Sequence, residues 1–405
     1  MSSVNRRRLL IGGIAVPAAA LMAGGGYRLF GGADTASAAD SVLRAGDLKM
    51  PPGTPFRLVA LSGKGPMGQT YDRPPNYETP AERLIGRENY PYTDNDYYYV
   101  RYREATVLQL NPDNYRLTIG GASAANEITL SLDDLQARAT TTVGAVGMCS
   151  GEGRGLHHPM IPGMPWTKGD LSCAEWTGVR ISDLLKEVGL KDDAKYASFG
   201  AGRQLSLTKP EYWRTYPLAS VQQNPDAILA VKMNGEDIPL WNGYPVRLVV
   251  PGTWAPTWTK QVVSLEIAAT PHPMEWSGRP ITPNKLSVFS MISTPTDGTR
   301  IPFGRKVEIT GVAFDDGSGI TKVEISQDDG RTWQPVTLDR SYGKYTWRVW
   351  RAQIGFSGRG EQRVLSRATS ADGKVQPLEP DPEKLANGGR KETASRTFAA
   401  VYEVV

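Results

Sequence analysis

The apolar run Val143-Gly-Ala-Val-Gly-Met148 ends on Cys149 and opens at once into the turn Cys149-Ser-Gly-Glu-Gly-Arg154-Gly155. The residues after this turn constrain the fold. Pro159, Pro162 and Pro165 break up the next stretch, so no long helix can start there. That excludes a dinucleotide-binding unit, in which a glycine turn leads straight into a helix, although Gly151, Gly153 and Gly155 loosely mimic its spacing. A thiol at the tip of a strand, with a cation five residues on, is well placed to become a thiolate. It can attack a substrate, hold a soft metal, or pair with Cys173, the only other cysteine.

Glycine and proline number 43 and 30 of 405 residues, and Val, Thr, Tyr and Trp recur in short runs. This predicts many short strands and turns rather than a helical protein. There is no CxxCH, hence no covalent c-type haem, and no GxSxG to frame a serine hydrolase. The histidines are His157, His158 and His272; the adjacent pair points to opposite faces of an extended segment, which argues against a histidine-rich metal site.

The N-terminus reads Asn5-Arg6-Arg7-Arg8-Leu9-Leu10, then a largely apolar stretch to Phe30, then Ala36-Ser37-Ala38. This pattern predicts a twin-arginine export signal over residues 1–38, hence delivery in folded form to the periplasm. Cleavage after Ala38 removes four arginines and one aspartate, so the formal charge falls from +4 to +1. The apparent basicity lies mostly in the signal, and nothing points to nucleic acid. No later stretch is apolar and long enough to span a membrane.

Residues 39–95 read as an extended arm wrapping the surface, and Asp96–Leu110 as a strand. Short helices are predicted at Leu132–Ala137 and Ser182–Val188, with Ser131 and Ser182 as N-caps and Gly189 as a stop. Ala227–Val250 reads as strand, Asn234-Gly235 hairpin turn, strand. From Val288 the pattern changes to short alternating strands (VEITGVAF, TKVEISQ, WQPVTL, YTWRVWR) with turn signals such as Asp329-Gly330. That pattern predicts a β-sandwich over 286–405, preceded by a catalytic domain over 96–285.

Taken in order, these residues resemble the sulfite oxidase family of molybdenum enzymes. Cys149-Ser-Gly-Glu-Gly-Arg154 is similar to the family's C-x-G-x-x-R turn, Val100-Arg101-Tyr102-Arg103 to its VRxH element, and Gly169–Arg180, which contains Ser172, to its cofactor-lining segment. Met233-Asn-Gly235, Gly243-Tyr-Pro-Val-Arg247, Val250-Pro-Gly252 and Lys260 resemble the run that grips the pterin phosphate, and the C-terminal strands resemble the dimerisation domain. The resemblance implies an α+β molybdopterin-binding domain of sulfite oxidase type followed by an all-β immunoglobulin-like sandwich. It implies a molybdenum–molybdopterin cofactor, with Cys149 as the metal ligand and Ser172, Asn242, Arg247 and Lys260 among the cofactor-binding residues. A thiolate suits a soft metal, and Gly151, Gly153 and Gly155 are expected to let the backbone approach the cofactor. Arg101, Arg103 and Arg154 are the expected anion-binding side chains, Trp166 a pocket wall, and Arg390 an arginine sent in by the second domain. Cys173 becomes a small buried side chain rather than a disulfide partner.

Three departures stand out: Arg103 where many members have His, Asn242 in place of a phosphate-binding His, and no Tyr after Trp276, where the family's pocket tyrosine is expected. The resemblance implies oxidation of sulfite to sulfate, with electrons passed to a c-type cytochrome, in a homodimer without its own haem. The missing tyrosine keeps a sulfane-sulfur dehydrogenase subunit, or an S- or N-oxide reductase, as the alternative on the same fold. A non-catalytic secreted binding module is the reading from another class, and it would require a metal-free protein with Cys149 and Cys173 joined.

Overall fold

The structure is a computed structural model and describes residues 58–60, 63–71, 74–86, 91–102, 107–157, 161–203, 211–272, 285–379 and 396–405. The expected signal, Arg103, Arg390 and the segment around Trp276 lie outside the described residues, as does the stretch 273–284 beside the expected domain boundary.

At the centre of the first half is a sheet with strand order Glu236–Asp237, Ile228–Met233, Leu171–Arg180, Thr141–Met148; Arg247–Val249 also pairs with Ile228–Met233. Thr141–Met148 runs antiparallel to Leu171–Arg180 in unbroken register from Thr141↔Gly178 to Met148↔Leu171. The strand pair therefore carries Cys149 at one end and Asp170 directly across from it, with the Cys149 N–H donating to the Asp170 carbonyl at 3.0 Å. A second sheet has the order Glu211–Pro217, Tyr196–Arg203, Ser264–Ala268, Arg116–Gly120, Ile128–Ser131, with one parallel pairing, Ser264–Ala268 on Arg116–Gly120.

Local chemistry explains the helices and the hairpin. Ser131 and Asp134 form a reciprocal capping box at the start of Leu132–Arg138. The second helix is Ile181–Val188, and its N-cap is Arg180 rather than the expected Ser182. The helix leaves the preceding strand without a gap, and the Ile181 N–H is already taken by the Ala227 carbonyl, so no side-chain cap is needed. Gly189 ends it at φ 66°. Asn234 and Gly235, at φ 51° and 81°, make the expected two-residue turn between Met233 and Glu236. The strand expected over Asp96–Leu110 is reduced to Val100–Arg101 among the described residues.

The described residues of the segment expected as a surface arm are instead structural. Leu58–Ala60, Pro66–Tyr71 and Asn76–Glu78 form a four-stranded sheet with Val100–Arg101, and Met67, Asn76, Tyr77, Glu78 and Leu84 are buried. Its polar composition hid this, because the polar side chains it buries are hydrogen-bonded to the first half.

The second half is a sandwich of two sheets, Phe289–Thr294, Val307–Phe314, Arg348–Ile354, Thr337–Leu338 and Arg300–Ile301, Ala400–Val404, Gly360–Ser370, Ile320–Ser326, Gln334–Pro335. Val307, Ile309, Val323, Trp350, Val364 and Tyr402 fill the space between them. The two halves share a separate core in which Val146, Met148, Leu171 and Cys173 meet Phe289, Met291, Val312, Trp347 and Phe398. The outer edge of Thr141–Met148 is closed from the second half, the Val146 N–H donating to the Tyr345 carbonyl at 2.9 Å. Trp347 is fully buried in the shared core, and its indole N–H donates to the Pro91 carbonyl. Replacing Trp347 with Ala is expected to lower unfolding free energy by about 3–5 kcal/mol, read by urea denaturation followed by circular dichroism.

Candidate cofactor and anion site

Eight of the ten site residues expected from sequence are described, and hydrogen bonds, packing or electrostatic reach connect them into one region. Cys149 is 6% exposed at the end of its strand. Arg154 is buried in the short turn that comes next, and Trp166, fully buried, accepts the Gly155 N–H on its carbonyl at 2.7 Å. The Arg154 Nη1 reaches the Met164 carbonyl at 3.5 Å, while its Nε is buried with no protein partner.

The glycines of the turn also serve the protein's own packing. A Cβ on Gly153 would fall 2.1 Å from the Phe398 ring, one on Gly155 2.6 Å from the Pro165 carbonyl oxygen, and one on Gly151 2.9 Å from the Arg154 guanidinium. Gly153 also sits at φ 72°.

A backbone segment of tyrosines ties the remaining residues together. Tyr99 donates its N–H to Ser172 Oγ at 3.0 Å, and its carbonyl accepts from Asn242 Nδ2 at 3.1 Å. Ser172 Oγ also shares a 2.8 Å hydrogen bond with Thr79 and donates to the Leu171 carbonyl, so its hydroxyl is used within the protein. The Asn242 carbonyl accepts from Arg247 at 2.8 Å. Arg247 is 2% exposed, lies over the rings of Trp176 and Trp258 at 5.1 and 5.6 Å, and keeps a buried Nε with no protein partner. Lys260 donates to the Arg101 and Trp241 carbonyls at 3.1 and 2.6 Å and stands 4.0 Å over the Tyr102 ring. Arg101 holds Asn76 Oδ1 at 3.1 Å. Cys173 is fully buried on the shared-core face of its strand and not bonded to Cys149; burial pushes its thiol well up.

Sequence reasoning missed two groups. One is Lys64, which donates to Asn242 Oδ1 at 2.6 Å and to the Tyr98 carbonyl at 3.1 Å. The other is a buried carboxyl set, Glu78, Glu152 and Asp170. Glu152 Oε2 accepts the Asp170 N–H at 2.7 Å, and Glu78 accepts from Thr167 N–H and Oγ1 at 2.7 and 2.6 Å. Burial drives all three above the ordinary carboxylate range, and for Asp170 the neighbouring Cys149 adds to it while Arg101 opposes it. On the cationic side, burial lowers Lys64 to about 7, against the pull of Asp96 and with the push of Arg247. Burial first, then Arg247, Lys64 and Arg101, holds Lys260 well below its usual value. The site thus has one soft thiol, an excess of buried positive charge, and guanidinium nitrogens with no protein acceptor.

Residues 104–276 match the oxidoreductase molybdopterin binding domain, and residues 281–383 match the Mo-co oxidoreductase dimerisation domain. The mitochondrial sulfite oxidase of Macaca fascicularis is 31% identical over 335 residues, covering 75% of this chain and 60% of that protein. This chain belongs to the sulfite oxidase family of molybdopterin enzymes. The sulfite oxidase of Arabidopsis thaliana is 26% identical over 347 residues, covering 75% of this chain and 86% of that protein. Among solved structures, the sulfane dehydrogenase SoxCD from Paracoccus pantotrophus superposes with a TM-score of 0.66 at 24% identity, over 82% of this chain and 87% of that one, and so shares the fold. The chain spans 60% of the length of its mammalian relatives. Among the described residues no helix is long and apolar enough to cross a membrane.

The site fits the family's cofactor on chemistry visible in this chain. The Cys149 thiol is a soft ligand, and the unpartnered Arg247 Nε with the buried Lys64 and half-buried Lys260 ammonium groups suits a bulky anion.

One linkage holds for the protein stripped of bound anions. The unfolded chain protonates Lys64 near 10.5 and the folded chain near 7, so between these values the unfolded state holds more protons. Stability therefore rises with pH across that window. The stability of wild type minus that of Lys64→Gln is expected to grow from pH 7 to pH 10, measured by urea denaturation at each pH.

Proposed function

We propose that this enzyme oxidises sulfite to sulfate in the periplasm, with Cys149 as the protein ligand of the molybdenum and a c-type cytochrome as electron acceptor. The observation that carries the reading is a buried thiol, Cys149, at a strand end, with the buried Arg154 in the turn that follows at once. The net change, sulfite plus water giving sulfate, two protons and two electrons, calls for a two-electron centre. The molybdenum cofactor supplies oxygen-atom transfer with two-electron redox chemistry when bound.

The chain's own residues bind and orient the anion. Arg154 packs against Gly151 and Gly163, where a Cβ would meet its guanidinium at 2.9 and 2.5 Å. A fork held this way gives directed hydrogen bonds to an oxyanion without reorganising. Arg101 adds a second guanidinium within electrostatic reach of Asp170, the neighbour of Cys149. Trp166, with its indole N–H unpartnered, closes the turn from one side and keeps water from it. Arg103 and Arg390 are proposed to contribute further positive charge. Export by the twin-arginine route and a homodimer formed through the second domain belong to the same proposal. Oxidation of sulfane sulfur is the second reading, favoured by the absence of tyrosine in Trp276-Ser-Gly-Arg-Pro-Ile-Thr.

Cys149→Ser is expected to abolish sulfite-dependent cytochrome c reduction while the protein stays folded by circular dichroism; full activity in that variant would sink the reading. Arg154→Gln is expected to lower kcat/KM for sulfite by about 10- to 100-fold, the loss of one charge-assisted contact. Steady-state rates with sulfite and with a persulfide donor, compared on one preparation, separate the two substrates.

A further inference from the structure

Lys64 precedes the matched molybdopterin-binding region, residues 104–276, and comes from a segment with no periodicity to mark it. Its ammonium is nevertheless buried beside the site and gives its donors to three neutral oxygens, the carbonyls of Asn95 and Tyr98 and Asn242 Oδ1. Among the described residues, no carboxylate makes an ion pair with Lys64, Arg101, Arg247 or Lys260. Lys260 feels the other three as like charges, with Asp170 opposing them, and Asp96 acts on Lys64 from the opposite sign without an ion pair. Asp170 is fully buried, and its carboxyl is engaged by the Cys149 thiol rather than by a cation. Two buried cations, Lys64 and Arg247, beside two half-buried ones, Arg101 and Lys260, without a paired carboxylate call for a bound anion.

Asn242 connects the new member to the rest. Its Oδ1 takes the Lys64 proton at 2.6 Å, its Nδ2 is fixed by the Tyr99 carbonyl, and its own carbonyl takes Arg247 Nη1 at 2.8 Å. The Arg247 Nε on the same guanidinium is left without a protein acceptor. Lys64 therefore orients the arginine through Asn242 and adds its charge behind it.

We propose that Lys64 is a positioning residue of the cofactor's phosphate site, by which the N-terminal segment completes an anion cradle formed with Arg247 and Lys260. The proposal rests on the molybdopterin reading of this site. One uncompensated charge acting across about 10 Å at an effective dielectric of about 20 changes an anion's affinity by roughly tenfold.

The test compares wild type, Lys64→Arg and Lys64→Gln by three readouts: molybdenum per chain, fluorescent pterin released on denaturation, and the melting temperature of cofactor-stripped protein titrated with inorganic phosphate. Lys64→Gln is expected to lose about tenfold in phosphate affinity and to be isolated with less molybdenum and pterin, while Lys64→Arg stays close to wild type. Equal phosphate affinity and equal loading in Lys64→Gln overturn the proposal, even if its melting temperature falls, because Lys64 is then only a strap across the carbonyls. Should Lys64→Gln not fold, Lys64→Met decides by the same two outcomes, since it removes the ammonium while keeping an unbranched side chain in the buried site. A wild type holding neither molybdenum nor pterin overturns the cofactor reading itself. A loaded wild type beside an equally loaded Lys64→Gln overturns the Lys64 role alone.

Discussion

The antiparallel pairing of Thr141–Met148 with Leu171–Arg180 governs the site, because it places Cys149 one residue beyond a strand that has little freedom to move. Val146 and Met148 face the core shared with the second half, and Ala145 faces the core of the first. The strand's free edge is taken by Tyr345. Gly144 and Gly147 are glycines for a related reason: a Cβ there would lie 2.5 Å from the Tyr92 hydroxyl and 2.3 Å from the Tyr98 hydroxyl. Tight packing on both faces and one edge fixes a side chain better than any loop can. The second half thus does more than add a separate fold. Through Tyr345, Trp347 and Phe398 it forms part of the wall against which the turn after Cys149 is set.

Charge in the site is sorted by sign. Glu78, Glu152 and Asp170 gather along the return segment opposite Cys149, while Lys64, Arg247 and Lys260 gather beyond the tyrosine segment, with Arg101 acting on both groups. Burial disfavours the ionised form in each group, so the carboxyls rise and the ammonium groups fall. An anionic ligand relieves only the cationic side. Binding and folding are therefore linked: whatever fills the cradle also stabilises the chain.

Legibility in the sequence tracked the range of the interactions. Ser131 with Asp134, Asn234-Gly235 and Gly189 act within a few residues, and each does in the structure what its local chemistry predicts. The alternating runs of the second half became strands such as Val307–Phe314 and Ile320–Ser326, because period-two burial is written residue by residue. Ser182 misled, since a long-range hydrogen bond from Ile181 to Ala227 replaced the cap. Motif matching found Cys149, Arg154, Arg247 and Lys260, which the fold connects. It did not find Lys64 or Glu78. Their partners, Asn242 and Thr167, lie 178 and 89 residues away, and nothing local distinguishes a buried lysine from a solvated one.

On the proposed reading, Arg154 illustrates how packing becomes selectivity. Arg154 is flanked by Gly151 and Gly163, and neither can gain a Cβ without striking the guanidinium. Both flanking positions are thus tied to the pose of one side chain. A guanidinium fixed in advance loses little entropy on binding, and it presents its donors in a planar fork. On the proposed reading, that fork favours a small oxyanion over a bulky neutral sulfur compound, since the latter would leave buried donors unsatisfied. The same penalty does not distinguish sulfite from an anionic sulfane adduct. Discrimination between those two is left to groups other than Arg154, and the sequence after Trp276 lacks the tyrosine that the family resemblance implies.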